Sequence, residues 1–328
     1  MAFDKSQVID IHAHLVPREL IEAAAQTSIP GVEVTDHGER QYSFTIAGAT
    51  TRTLPPRLID VEERQRWMTN AGIDVQIVGT WADLFGYRLS PDAGVAWCEV
   101  LNETLLNAVE KVDRLHAFAA LPMQAPEEAA AMVSDLADKP FLGVTFATQI
   151  SGTELDHPAF DVVWTALADS GFPVFLHPGY IDSDDRTAPY GMVNAVGRPL
   201  DTTIAAARLL GAGVPMRFPG LRLILAHGGG AVPFILGRLK RNKEIFPEVG
   251  DPQAGFAALA FDSVVFDPDA LCYLVSKASP GSVMLGSDYP FPIGDHSPVE
   301  VVANARCLDS ADRIAILGGA AQALLDRS

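Results

Sequence analysis

Cysteine is scarce in this sequence: Cys98, Cys272 and Cys307 are the three in 328 residues. Their odd number and wide spacing supply neither a disulfide framework nor a Cys-x-x-Cys metal pair, and a reducing cytoplasm is the expected location. Long apolar runs are missing too. None reaches the roughly 18 residues that a membrane helix needs, although 48% of the chain is hydrophobic, enough for a large core. The opening Met1-Ala2-Phe3-Asp4-Lys5-Ser6 lacks a basic start followed by an apolar segment, so no secretory signal is expected. Basic residues are the third shortage: 24 Lys and Arg face 41 Asp and Glu, for a net charge of −17. Such a chain repels phosphate backbones and carries no basic stripe, which argues against a nucleic-acid partner. A small anionic substrate remains compatible with this charge if a local arginine or a metal ion receives it.

What is present is a rhythm. Extended apolar stretches recur at 8–12, 75–80, 115–120, 143–146, 174–177, 221–227, 260–265 and 283–288, with amphipathic segments between most of them. The segment 158–170 is one example, with Phe160, Val163, Trp164 and Leu167 on a single stripe. Alternation of strand and helix implies parallel strands joined by right-handed crossovers. Eight such units in this length point to an α/β fold, a (β/α)8 TIM barrel, rather than an open sheet. The region 32–54 departs from the rhythm. Its alternating stretches at 32–35 and 42–46, joined by Asp36-His37-Gly38-Glu39, read as a hairpin. The expectation is a single domain, residues 1–328, with a small β insertion after the first strand that covers part of the barrel mouth.

Four short elements carry the chemistry. His12-Ala13-His14 follows Val8-Ile9-Asp10-Ile11, and residues two apart on a strand share a face. Both imidazoles can therefore point into the barrel mouth and bind one ion, with Asp10 in a supporting or structural place. His177 ends Phe172-Pro173-Val174-Phe175-Leu176 and precedes Pro178-Gly179. It reads equally as a third ligand or as a core histidine. His227 precedes three glycines, which let substrate and backbone approach closely; it is a metal ligand or a general acid–base. Asp288, in Gly286-Ser287-Asp288-Tyr289-Pro290, offers a carboxylate at the last strand. Catalytic groups collect at the C-terminal edge of a parallel barrel, so these residues can meet at one point and hold a divalent metal.

The chain resembles the amidohydrolase superfamily, and within it the branch of aminocarboxymuconate semialdehyde decarboxylase and related metal-dependent decarboxylases. The resemblance rests on Ile11-His12-Ala13-His14, Phe175-Leu176-His177-Pro178, the stretch from Ala226 to Phe234, the stretch from Phe261 to Pro268, and the stretch from Gly286 to Pro292. It implies a mononuclear metal, usually zinc with manganese as the alternative, on His12, His14, His177 and Asp288. It also implies that His227 handles protons together with a metal-bound water, and that the reaction is loss of CO2 from an aromatic or muconate-type unsaturated acid. Arg52 and Arg57 fall where a substrate-binding arginine is placed in that branch. Arg238 matches an arginine that in relatives reaches a neighbouring subunit's site, so a homodimer or homotetramer follows. Trp81, Phe85 and Tyr87 after the second strand form a candidate aromatic wall. Phe266 stands where a histidine is common, and the second arginine that relatives carry after Arg238 has no clear match in 239–246; both weaken the match to aminocarboxymuconate semialdehyde itself as substrate. Two other readings compete. One is a hydrolase or hydratase using the same ligands on a lactone, amide or unsaturated diacid; the other is a non-catalytic barrel acting as a binding protein.

Overall fold

The run Ile-Asp-Ile-His-Ala-His is buried along its whole length as strand β1 (Ile9–His14), as expected where layers cover both faces of a parallel sheet. This is a computed structural model, and it describes residue 4 and residues 6–179 and 186–325. Seven strands follow: β2 (Val75–Gly79), β3 (Leu115–Ala120), β4 (Gly143–Ala147), β5 (Pro173–His177), β6 (Arg222–Leu225), β7 (Leu259–Asp262) and β8 (Val283–Met284). Each pairs in parallel with the next. The two ends of the sheet meet. The Ile11 N–H donates to the Leu285 carbonyl at 2.9 Å and the His14 N–H to the Tyr289 carbonyl at 2.8 Å. The fold is the (β/α)8 TIM barrel that the alternation predicts.

The larger helices between strands are α1 (Val61–Ala71), α2 (Pro91–Val109), α3 (Pro126–Ala137), α4 (Asp161–Ser170), α5 (Arg198–Gly211), α6 (Val232–Ile245) and α7 (Pro268–Lys277). Their ends follow local chemistry. Proline occupies the first turn of α2, α3 and α7, where its missing N–H costs nothing. The Asp267 carboxylate caps α7 by accepting from the N–H groups of Asp269 and Ala270. Gly72 and Gly171 stop α1 and α4 in the left-handed conformation. The amphipathic segment 158–170 is a 3-10 turn followed by α4, and it buries Phe160, Val163, Trp164 and Leu167.

Two apolar layers result. Ile9, Ile11, Val75, Ile77, Phe118, Phe175, Ile224 and Met284 fill the barrel interior, and a larger cluster lies between the strands and helices. The pairing of β1 with β2 shifts register between Asp10 and Ala13. This bulge lets the neighbours Ile11 and His12 both face inward, which a regular strand forbids. Ile9 and Ile11 thus pack the interior, while His12 rests on Phe175 with ring centroids 4.8 Å apart. His14 follows on the same face. Outside the barrel, Val32–Asp36 and Tyr42–Ile46 pair antiparallel, and Ala49–Thr50 adds a third strand.

Three differences from the sequence reading have physical causes. Strands β6, β7 and β8 are shorter than the apolar runs 221–227, 260–265 and 283–288, and beyond their ends the chain turns, with positive φ values of 56° at His227, 61° at Phe266 and 56° at Asp288. Non-glycine residues in that region are strained, and such strain gathers at functional sites. Second, the cysteines are not all isolated. Cys272 in α7 and Cys307 form a disulfide across 35 residues of sequence, while Cys98 is a buried free thiol. The expectation of no disulfide fails because the fold, not the spacing, brings the two together. Third, the interval between β1 and β2 holds a helix (Arg18–Gln26) as well as the three short strands. Among the described residues, no helix is long and apolar enough to cross a membrane.

Candidate metal centre and active site

Each of the four motifs delivers its side chain to one point at the C-terminal edge of the barrel. His12 and His14 come from β1, and their ring centroids are 5.4 Å apart. His177, the last residue of β5, lies 5.0 Å from the His12 ring and 4.7 Å from the His14 ring. His227 follows β6 on a tight turn, 5.2 Å from His177. That turn needs its glycines. Gly228 and Gly229 have positive φ, and a Cβ on them would come within 2.6 Å of Val265 and 2.8 Å of the Phe261 ring. Asp288 follows β8, tied to β1 by its N–H donating to the His12 carbonyl at 2.8 Å.

The carboxylate of Asp288 organises the cluster. Its Oδ1 stands 3.3 Å from His12 Nε2 and 3.2 Å from His14 Nε2, and its Oδ2 stands 3.7 Å from His227 Nε2. Ligand-type atoms of His12, His177, His227 and Asp288 all lie within 4.8 Å of one another. The compact quartet therefore includes His227, while His14 joins through Asp288. The far side of two rings is fixed: His12 Nδ1 donates to Asp262 Oδ2 at 2.6 Å, and His14 Nδ1 donates to the Thr80 carbonyl at 3.2 Å. The near side is not. His12 Nε2, His14 Nε2, both nitrogens of His177, His227 Nδ1 and Asp288 Oδ1 are buried without hydrogen-bond partners among the described residues. Buried polar atoms left unsatisfied in such number are costly. Imidazole nitrogens and a carboxylate are the donor set a divalent cation takes, so the residues fit a metal ion.

Burial and the two carboxylates set the charges in the cluster. Burial opposes charge on Asp288, but the His12, His14 and His227 contacts overcome it and hold the carboxyl well below the usual range. Burial likewise opposes charge on His12, and the Asp288 and Asp262 carboxylates more than offset it, pushing His12 up to about 10. His14 and His177 are pulled down by burial, His177 also by its imidazole neighbours. Beneath the site, Asp10 accepts from the N–H groups of His12 and Ser287, each at 3.0 Å, from Ser287 Oγ at 2.5 Å and from Gln76 Nε2 at 2.8 Å. Arg64 of α1 donates to Gln76 Oε1 at 2.5 Å and to the His14 carbonyl, and lies over the Tyr289 ring. Burial pushes Asp10 up to about 6 and Arg64 down to about 10. Asp10 is thus the backbone-holding group expected of it.

A cavity opens on the cluster, lined among others by Arg52, Trp81, His177, Arg198, Asp288 and Phe291. The Arg52 guanidinium lies 5.4 Å from the centroids of both Trp81 and Phe291 and has no ion-pair partner among the described residues. Arg198 is compensated by Asp83 at 3.3 Å and also holds the carbonyls of Pro178 and Gly179 behind His177. Arg57 is not in this cavity. It is half exposed and paired with Glu63 at 2.7 Å. Arg238 lies on the exposed face of α6. Phe85 and Tyr87 line a separate cavity with Thr50, Thr51 and Gln149, so the aromatic wall at the histidines is Trp81 with Phe291. Sequence reasoning missed Asp262, Arg198 and Phe291. Asp262 alone carried a signal, a carboxylate closing a buried strand at the catalytic edge.

Residues 9–327 match the amidohydrolase family model. The 2-amino-3-carboxymuconate-6-semialdehyde decarboxylase of Dictyostelium discoideum is 27% identical, aligned over 96% of this chain and 90% of its own. The apo structure of the Metarhizium anisopliae IDCase superposes with a TM-score of 0.83 at 27% identity, over 97% of each chain. A manganese-bound 5-carboxyvanillate decarboxylase from Novosphingobium aromaticivorans shares the fold, with a TM-score of 0.81 at 20% identity over 98% of each chain.

Proposed function

Because the chain belongs to the amidohydrolase family, we propose that it is a metal-dependent carboxy-lyase that removes CO2 non-oxidatively from an aromatic or muconate-type unsaturated acid. One observation carries this reading: the histidine–aspartate cluster opens on a cavity whose guanidinium, Arg52, has no carboxylate partner among the described residues and is flanked by Trp81 and Phe291. A planar acid needs such a slot, with a cation for its carboxylate and aromatic faces for its ring. Decarboxylase relatives of matching length support the lyase over a hydrolase or hydratase.

His12, His14, His177 and Asp288 would hold the ion, zinc in our reading, with manganese the alternative that a relative's structure favours. When bound, a divalent ion supplies Lewis-acid charge to an enol, phenol or carboxylate oxygen of the acid. The remaining steps belong to side chains. Arg52 orients a carboxylate, with Trp81 and Phe291 holding the plane. The bond to the carboxyl carbon breaks, CO2 departs, and its electron pair stays on the substrate carbon. His227 then delivers a proton to that carbon. His227 suits this task because its Nε2 faces the second oxygen of Asp288, whereas His12 and His14 share the first. Asp288 Oδ2 can therefore steady a protonated His227 between turnovers.

The assembly we propose is a homodimer or homotetramer. Phe234, 79% exposed, and Arg238 lie on α6, and Leu200 and Ile204 of neighbouring α5 are also exposed, an apolar face suited to a second copy. Arg57 is left a surface role. Residues 1–328 are proposed as one domain with 32–54 as an insertion, located in the cytoplasm. Turnover in D2O tests the chemistry. Decarboxylation predicts a product with one deuterium at the carbon that bore the carboxyl group, whereas an acid that gains the elements of water, or is cleaved by them, contradicts it.

A further inference from the structure

Asp262 is fully buried at the end of β7, and its carboxylate receives four donors from three segments. Oδ2 accepts from His12 Nδ1 at 2.6 Å and from the His227 N–H at 2.9 Å. Oδ1 accepts from the N–H groups of Gly228 at 2.7 Å and Val264 at 3.1 Å. We infer that Asp262 is a positioning residue that couples the metal centre to the proton-handling group, fixing the His12 tautomer and the His227 turn with one carboxylate. This rests on the metal-dependent reading above.

Lone pairs decide what this contact does. A neutral imidazole has one N–H and one acceptor nitrogen. With the proton committed at Nδ1 to Asp262, the lone pair of Nε2 points at Asp288 and the cluster, where a metal needs it. The same oxygen receives the His227 backbone, so the strained turn carrying the fourth imidazole is anchored to the atom that orients the first. Buried carboxylates that serve structure alone commonly cap a helix; that task at this strand falls to Asp267 instead. Asp262 gives one of its two oxygens, Oδ2, to the two histidines.

Asparagine separates the roles. In Asp262→Asn, the amide oxygen can still accept from Gly228 and Val264. The NH2 would then face two former donors, driving His12 to the opposite tautomer, with its proton at Nε2 toward Asp288. The test is zinc and manganese affinity, by competition with a chromogenic chelator, for wild type and Asp262→Asn whose native fold is verified by circular dichroism. The expected result is a roughly 10–100-fold weaker affinity for the variant, the usual cost of losing a partner behind a ligating histidine. In the zinc-loaded wild type, nitrogen NMR of labelled histidine should show His12 with a hydrogen-bonded proton on Nδ1. A folded variant that binds both metals as tightly as wild type, even if it melts earlier, overturns the proposal. So does a wild-type His12 protonated at Nε2, which decides the matter should the variant fail to fold. Wild type that takes up neither metal removes the metal reading itself, a failure distinct from the other two.

Discussion

His14 Nε2 stands 3.2 Å from Asp288 Oδ1, a contact that joins the first barrel strand to the residue after the last. The same oxygen is 3.3 Å from His12 Nε2. Replacing Asp288 with Asn should therefore disable the whole cluster rather than one bond. The expected outcome is a fall in metal affinity larger than the roughly 10–100-fold typical of supporting residues, with CO2 release lost in parallel. Metal analysis after dialysis checks this, and a variant retaining stoichiometric metal would show that the ion is held without Asp288.

The arginines divide by their partners. Arg57 is spent on Glu63 at the surface, and Arg52 sits in the cavity against Trp81 and Phe291. A hydrogen bond to a charged group contributes about 1.5–3 kcal/mol. Arg52→Ala should therefore lower kcat/KM by roughly 10–100-fold, with most of the effect in KM if Arg52 binds ground and transition states alike. Arg57→Ala should leave kcat/KM within about twofold, since an exposed pair contributes little. Steady-state kinetics on both variants decides which arginine serves the substrate. Equal effects would contradict the assignment.

The cysteines behave as two classes. Burial pushes the Cys98 thiol well above its usual range, so it stays neutral and protected even in mildly alkaline solution. Native protein treated with iodoacetamide at about pH 9 should leave Cys98 unmodified, and denaturation should expose it. The Cys272–Cys307 bridge closes 35 residues. In the chain-entropy model such a loop is worth about 3–4 kcal/mol against the unfolded state. Air-oxidised protein should therefore lose stability to denaturant on reduction, as mass spectrometry registers the gain of two hydrogens. Unchanged stability would mean that packing alone holds α7 in place.

The barrel and its histidines were legible because their signals are local. Eight apolar runs set the strands, and His12, His14, His177, His227 and Asp288 each sit at or beside the C-terminal end of one. What stayed hidden depends on the third dimension. The register shift in β1 leaves no mark in the Ile-Asp-Ile-His pattern, although it decides which residues face inward. Asp262 and His12 are separated by 250 positions, and no spacing rule links them. Arg52 and Arg57 look alike in sequence, and only the presence of Glu63 beside one of them tells them apart. The same holds for Cys272 and Cys307, whose pairing depends on where α7 packs.

The most direct measurement is CO2 release by the purified, metal-analysed protein from hydroxybenzoates and muconate-type acids, with and without a chelator. Release from at least one acid is expected, abolished by the chelator, restored by zinc or manganese, and lost in Asp288→Asn. Metal-loaded protein that frees no CO2 from any of these acids, yet hydrolyses a lactone or hydrates a diacid at the same site, would contradict it.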